Sequence, residues 1–354
     1  MKTHWLRNFV LGLVGAVVIA LGLSIFTVSS ATTSFSYSVT DLGTLGGSFS
    51  RAYGINDKGQ VVGCATTTSG SLHAFLWSNG TLQDLGTLGG SYSQAHGINN
   101  TGQVVGVAGT SSGFTHAFLW HKGTMKDLGI LGGNNSHANR INNIGQVVGG
   151  AQSSSGTYHA FLWEKGKMKD LGTLVGNSSI ANEILLRGNS TIANGINNTG
   201  QVVGSGRSRG GTSHAFLWEK GKMKYLDTLG GLNILAISIN NRGQVVGSGR
   251  SRSGTAHAFL WEKGKRKDLG TLGGNFSIAN YINNRGQVVG EADTSSGFSQ
   301  PFIWVNGRMR DLNSLIPTNS GWKLIYANAI DKKGQIVGLG SFNGQNRAFL
   351  LTPT

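Results

Sequence analysis

A pentapeptide, His-Ala-Phe-Leu-Trp, stands at 73–77 and comes back at 116, 159, 214 and 257, and this repetition leaves few folds open to the chain. Degenerate copies follow as Gln300-Pro301-Phe302-Ile303-Trp304 and Arg347-Ala348-Phe349-Leu350-Leu351. A second marker, Asp-Leu, has its Asp at 41, 84, 127, 170, 268 and 311, with Tyr225 in the same slot. The spacing is 43 residues except for one interval of 55, which holds a 12-residue insertion near 177–188 that copies its surroundings (Asn177-Ser-Ser-Ile-Ala-Asn, then Asn189-Ser-Thr-Ile-Ala-Asn). A motif recurring so often is a building unit rather than one active site.

Each period carries four short strand signals. Ala-x-Gly-Ile-Asn (52–56) and Gly-Gln-Val-Val-Gly (59–63) flank Asn56-Asp57-Lys58-Gly59, whose first Asn and last Gly suit a type I turn ending in a left-handed residue. The third strand is His-Ala-Phe-Leu-Trp, and Asn79-Gly80 after it predicts a two-residue type I′ hairpin. That register sets Trp77 opposite Leu82, Phe75 opposite Asp84 and His73 opposite Gly86. In later copies the Trp faces Met125, Met168, Met223 or Met309, a thioether against an indole. Lys167 and Lys169 occupy the other, wet face of the fourth strand.

Four antiparallel strands per 43 residues describe the blades of a β-propeller. A β-solenoid coil is roughly half as long and lacks hairpins, so it ranks below. The Asp-Leu strand and the Gly-Gln-Val/Ile-Val-Gly strand each occur seven times. The repeat array begins with a fourth strand (about Tyr37 to Leu45) and ends with a first, second and third (about Ala327 to Thr352). The expectation is therefore all-β: a seven-bladed β-propeller of four-stranded antiparallel blades over 36–354, closed by an N-terminal strand that completes the C-terminal blade. Closure removes the open sheet edges on which chains aggregate.

Ahead of this domain, Lys2 and Arg7 precede an apolar run from Phe9 to Val28 and small residues at Ser29 and Ala31. Segment 1–31 reads as a secretory signal peptide, with a membrane anchor as the alternative because 20 apolar residues can just span a bilayer. Either way the domain is exported, and its localisation is secreted, periplasmic or cell-surface. Cys64 is the only cysteine, so no intramolecular disulfide forms and packing must hold the fold. The formal charge is +15, and loss of Lys2 and Arg7 lowers it by two. Outside the cytosol such a charge points to anionic polysaccharide, cell-wall polymer or a lipid surface before nucleic acid.

These residues resemble the HAF-repeat family of extracellular bacterial repeat proteins, named for the His-Ala-Phe found here at 73–75, 116–118, 159–161, 214–216 and 257–259. Ile-Asn-x-x-Gly-Gln-Val-Val-Gly and Asp-Leu-Gly-Thr-Leu-Gly-Gly complete the pattern, and the resemblance covers about residues 36–351. It implies an exported protein and carries over no enzymatic activity or ligand. Gln300-Pro301, Arg347 and Tyr225 depart from it.

The repeated His and Asp pairs (His73 with Asp84, His116 with Asp127, His159 with Asp170) could suggest acid/base work or metal ligation. Near-equal pairs spread around a ring cannot converge on one ion or substrate. They read as structural, fixing each hairpin beside Trp77, Trp120 and Trp163. No metal site or cofactor is expected. Of fifteen carboxylates, only Glu291 and Asp293 are unshared by the repeat and close in sequence, and a glycoside-cleaving enzyme needs two that face one another. A carbohydrate-active hydrolase or lyase is therefore the lesser alternative.

Arg207, Arg209, Arg250 and Arg252, on neighbouring loops between second and third strands, form the best local anion site. On the same face, Tyr92 and Phe276 share a slot with Phe49, and Trp322 stands in an enlarged last connection; such rings stack on sugars or pin loops. The expected function is that of a monomeric, non-catalytic binding or scaffold module, for anionic polysaccharide or envelope polymer. The alternative partner is another exported protein, and membrane contact arises only if the N-terminal segment is retained.

Overall fold

The computed structural model describes residues 36–172, 191–207, 212–226, 233–250 and 254–354; segment 1–31 and the insertion at 177–188 lie outside the described residues. Phe35–Thr354 is one compact unit. It consists of seven four-stranded antiparallel sheets arranged as a β-propeller, with one short 3-10 turn at Leu312–Leu315. Blade one runs Gly46–Ile55, Val61–Thr67, Leu72–Ser78 and Thr81–Asp84, from the axis outward. The inner strands of blades two to seven are Gly89–Ile98, Gly132–Ile141, Thr191–Ile196, Ile234–Ile239, Gly273–Ile282 and Trp322–Ile330.

The last blade closes the ring as the repeat count predicts. Tyr37–Asp41 pairs antiparallel with Gln345–Pro353, from Tyr37 opposite Pro353 to Asp41 opposite Phe349. Local chemistry explains each hairpin. Asn79 and Gly80 both have positive φ, 50° and 83°, the signature of a type I′ turn, and Trp77 faces Leu82 while Phe75 faces Asp84.

The core lies between blades rather than within one. Val62, Ala74, Leu76 and Leu85 of blade one pack against Ala95, Ile98, Val104, Phe118 and Trp120 of blade two, and similar clusters recur around the ring. The Phe of each His-Ala-Phe copy is wholly enclosed there. Replacing such a side chain by Ala typically costs about 3–5 kcal/mol. Three fourth-strand lysines serve the same seams. Lys126, Lys169 and Lys267 place their ammonium groups 5.4, 5.6 and 5.0 Å from the rings of Trp163, Trp218 and Trp304 in the next blade.

Hydrogen bonds bind the blades around the axis at the hairpin end. Asn56, Asn99, Asn142, Asn197, Asn240 and Asn283 are buried, and each donates Nδ2 to the backbone oxygen of its counterpart in the following blade. Next to them, Asn100, Asn143, Asn198, Asn241 and Asn284 accept from the backbone amide of their counterpart in the preceding blade. Sequence position alone selects these residues for the turn; closure makes them a ring.

Candidate functional site

Inner strands line the channel with the variable residue of Ala-x-Gly-Ile, which is Tyr53, His96, Asn139, Asn194, Ile237, Asn280 and Asn328 in blade order. Five of them bind the next blade. His96 Nδ1 lies 2.9 Å from the Ala138 oxygen, and Asn139, Asn194, Asn280 and Asn328 donate Nδ2 to the backbone oxygens of Ala193, Ala236, Ala327 and Ala52 at 3.0, 2.9, 3.0 and 2.6 Å. With Nδ2 so committed, the amide oxygens of Asn139, Asn194 and Asn280 remain as acceptors in a cavity of about 380 Å³ that all these asparagines line.

Two arginines enter the same cavity. Arg51 stands where other blades carry Gln94, His137, Ile192, Leu235, Ile278 or Tyr326. Its guanidinium carbon lies 4.9 Å from the Tyr53 ring centre and 4.6 Å from that of Tyr326, and Nη2 donates to Asn328 Oδ1 at 3.2 Å. Arg140 occupies a slot held by Gly54, Gly97 and Gly195 elsewhere. It reaches across the axis from blade three to the ring of Tyr281 in blade six, 5.5 Å away, while Nη1 donates to the backbone oxygens of His96 and Asn139, both at 2.9 Å. This strut divides the channel. On its hairpin side lies the asparagine-lined mouth; on the other lies the cavity.

Neither arginine forms an ion pair among the described residues, and the Nε of each is buried with no hydrogen-bond partner. Arg51 Nη1 and Arg140 Nη2 likewise have no protein acceptor there. Glu291 is the one carboxylate lining the cavity, 9% exposed, with Oε1 accepting from Asn280 Nδ2 at 2.8 Å. Burial pushes its carboxyl up to about 7, against the opposing pull of Asn280, Arg51 and the Ala327 backbone. His96 is held at about 4 by burial, so it stays a neutral imidazole.

Of the residues anticipated as binding groups, the described ones do not line this cavity. Arg250 ends Val245–Arg250 and is exposed; Arg207 ends Val202–Arg207, and its side chain, with Arg209 and Arg252, lies outside the described residues. Trp322 opens the inner strand of blade seven rather than standing in the connection, and it stacks on Phe342 with ring centres 4.9 Å apart. Tyr92 is half-buried and Phe276 exposed, both away from the cavity. Glu291 and Asp293 share a strand, but Asp293 does not reach the cavity, so the two carboxylates do not face one another across it.

His73 Nδ1 lies 2.8 Å from Asp84 Oδ2, with 2.6, 2.7 and 2.8 Å for His116–Asp127, His159–Asp170 and His257–Asp268. The other carboxylate oxygen accepts from the backbone of Gly86, Gly129, Gly172 and Gly270. These pairs fasten the outer edge of their blades. Among the described residues no group of three or more His, Cys, Asp or Glu side chains is placed to hold a metal ion.

Sequence reasoning missed Arg51, Arg140, Tyr281 and Tyr326. The signal available was their departure from the repeat inside the inner strand, above all an Arg in a glycine slot.

Fold and channel together define a closed seven-bladed propeller with an axial cavity of mixed basic and amide lining. No protein-family model matches the chain, and no curated protein sequence does. Solved structures share the fold. The β-propeller domain of the Trilobed protease from Pyrococcus furiosus is 10% identical, with a TM-score of 0.55 over 86% of this chain and 97% of that one. YCF48 bound to D1 peptide is 12% identical, TM-score 0.53, over 90% and 97%. Pyrococcus horikoshii acylaminoacyl peptidase is 13% identical, TM-score 0.51, over 85% of this chain and 50% of that one.

Proposed function

We propose that this chain is an exported, non-catalytic binding propeller whose ligand is an anionic polysaccharide or envelope polymer, with an acidic group of that polymer entering the axial cavity. The observation that carries this is the pair Arg51 and Arg140, two cations lining one cavity with no carboxylate ion-paired to either among the described residues. A desolvated guanidinium with spare donors has a strong preference for an anion over water. The net charge, +15 for the whole sequence and two lower without Lys2 and Arg7, adds a long-range attraction that concentrates polyanions at the surface. The HAF-repeat resemblance and the Lys2/Arg7 leader support export. A single carboxylate in the cavity supports binding rather than glycoside cleavage, for which two are needed.

The test is retention of the purified protein on columns of acidic and of neutral polysaccharide. Retention on the acidic matrix alone, released by salt, is expected, with weaker retention when Arg207, Arg209, Arg250 and Arg252 are changed to Ala. Equal behaviour on both matrices overturns the reading. Export is checked separately by mass spectrometry of the mature N-terminus, expected just after Ala31.

A further inference from the structure

Resting on the anionic-ligand reading, we propose that the axial cavity is a site for one carboxylated sugar unit, its carboxylate taken by Arg51 and Arg140 and its hydroxyls by the amide oxygens of Asn139, Asn194 and Asn280, with Glu291 beside it. A volume of about 380 Å³ falls in the range of small-ligand sites. The strut from Arg140 to Tyr281 forms its floor, so the ligand enters from the face opposite the hairpins.

The lining discriminates among anions. Arg51 Nη1 and Arg140 Nη2 are donors without a protein acceptor, which a carboxylate satisfies. Each of the three asparagines spends an Nδ2 hydrogen on the next blade, Asn280 a second on Glu291, and their amide oxygens are acceptors that a ligand with O–H or N–H groups satisfies. Inorganic phosphate, with one or two O–H groups near neutrality, leaves at least one of these three oxygens unmatched. An amino acid's ammonium would find the asparagine oxygens but would set a third cation beside two guanidiniums, with burial holding Glu291 toward its neutral form. A hydroxylated carboxylate meets both halves of the lining.

Binding then couples to a proton. The titratable and charged groups facing Glu291 are Arg51 and Tyr53 from blade one, His96 from blade two, Arg140 from blade three and Tyr326 from blade seven; blades four and five contribute Asn194 and Ile237. Burial raises the Tyr53 phenol and lowers the His96 imidazole, so both stay neutral through the physiological range. Of Glu291, Tyr53 and His96, Glu291 is the one that changes charge near neutrality. Below its folded value the carboxyl is neutral and donates to the ligand; above it, an anion would meet an anion. Affinity therefore falls as pH rises through about 7, by at most tenfold per pH unit for one linked proton.

Calorimetric titration of the whole mature chain with glucuronate and galacturonate, beside glucose, inorganic phosphate and glutamate, at pH 5.5, 7 and 8.5 tests this. The expected result is saturable one-to-one binding of a uronate, at least tenfold tighter than glucose or phosphate and weakening from pH 7 to 8.5. Arg51→Met should lose at least tenfold, whereas Arg250→Ala should not. Glu291→Gln should bind with an affinity that no longer changes between pH 5.5 and 8.5, a readout that holds even if Arg51→Met proves unstable. No saturable uronate binding, equal binding of glucose, tighter binding of phosphate or glutamate, or an unchanged pH slope in Glu291→Gln overturns the proposal. If acidic columns still retain the protein while uronate does not bind, this inference alone fails; loss of both removes the broader reading as well.

Discussion

Asn283 Nδ2 donates to the backbone oxygen of Asp331 at 2.8 Å, and Asp331 cannot pass the same bond on to the first blade. Six asparagines link each blade to the next in this way, and Asp331 holds the seventh place with a carboxylate. Its Oδ1 accepts from the backbone of Lys333 and Gln335, both at 2.8 Å, as an asparagine oxygen would. Oδ2, in the position of the donating nitrogen, is buried without a partner. This one bond of the ring is thus missing at the seam between the last blade and the first.

Asp331→Asn should therefore stabilise the protein. It supplies the missing donor and removes a buried acceptor left unmatched, worth about 1–3 kcal/mol together. Burial holds the Asp331 carboxyl above the ordinary carboxylate range, so the ionised form is the one the fold disfavours. Native stability is then lost as pH rises through that folded value, and the variant escapes the loss. Urea denaturation at pH 3.5, below the ordinary carboxylate value of 3.8, and at pH 8 should show the larger gain at pH 8; a variant less stable than the parent at both would refute the donor argument.

Each second strand carries a glycine that the register makes obligatory. A bulge in the inner strand between Ala138 and Arg140 brings the His137 backbone oxygen onto the place a Cβ of Gly149 would fill. Gly63, Gly106, Gly247, Gly290 and Gly338 meet the same obstacle. Gly149→Ala should cost about 2–4 kcal/mol, since rigid backbone must shift. Gly113→Ala, at φ +85° with open space around it, should cost only about 1–2 kcal/mol. Thermal denaturation of the two variants should keep that order.

The hairpin histidines should prove modest and independent. Asp127 is partly exposed, so solvent screens its contact with His116. Replacing His73 or His159 by Ala should cost under about 1 kcal/mol each, and the double variant should add within about 0.5 kcal/mol because the sites lie in blades one and three. Their stability should be the same with zinc or with a chelator, and uronate titration should be unaltered. A zinc-dependent rise in melting temperature would restore the metal reading set aside for these pairs.

What could be read in the sequence was what is local or repeated. Asn79-Gly80 specifies its turn from two residues, Trp77 and Leu82 follow from that turn, and the unmatched strands at Tyr37 and Gln345 announce closure. The cavity is neither local nor repeated. Arg51, Arg140, Glu291 and Tyr326 come from four blades, and a 43-residue alignment presents each as a stray variant of its slot. Their meeting depends on the ring having closed. The fourth-strand lysines show the same limit: a wet face in one blade becomes, for Lys126, Lys169 and Lys267, a cover over the next blade's Trp.

Glu291 gives the last prediction, on stability without ligand. Its carboxyl rises from 4.5 when unfolded to about 7 in the fold, so the native state binds the extra proton between those values. Stability falls as pH climbs from 4.5 toward 7 and then levels off, the whole loss amounting to about 3 kcal/mol at 1.36 kcal/mol per unit. His96 and His137 act in the opposite sense. Each is held neutral at about 4, so each withdraws stability as pH falls from 6.5 toward 4. Glu291→Gln keeps the hydrogen-bonding shape, removes only the first of these trends, and should leave a protein more stable than its parent at pH 8 and equal to it near pH 4. Urea midpoints across pH 4–9 decide the matter, and a Gln variant whose advantage does not grow with pH would show that the buried carboxyl is not the group being titrated.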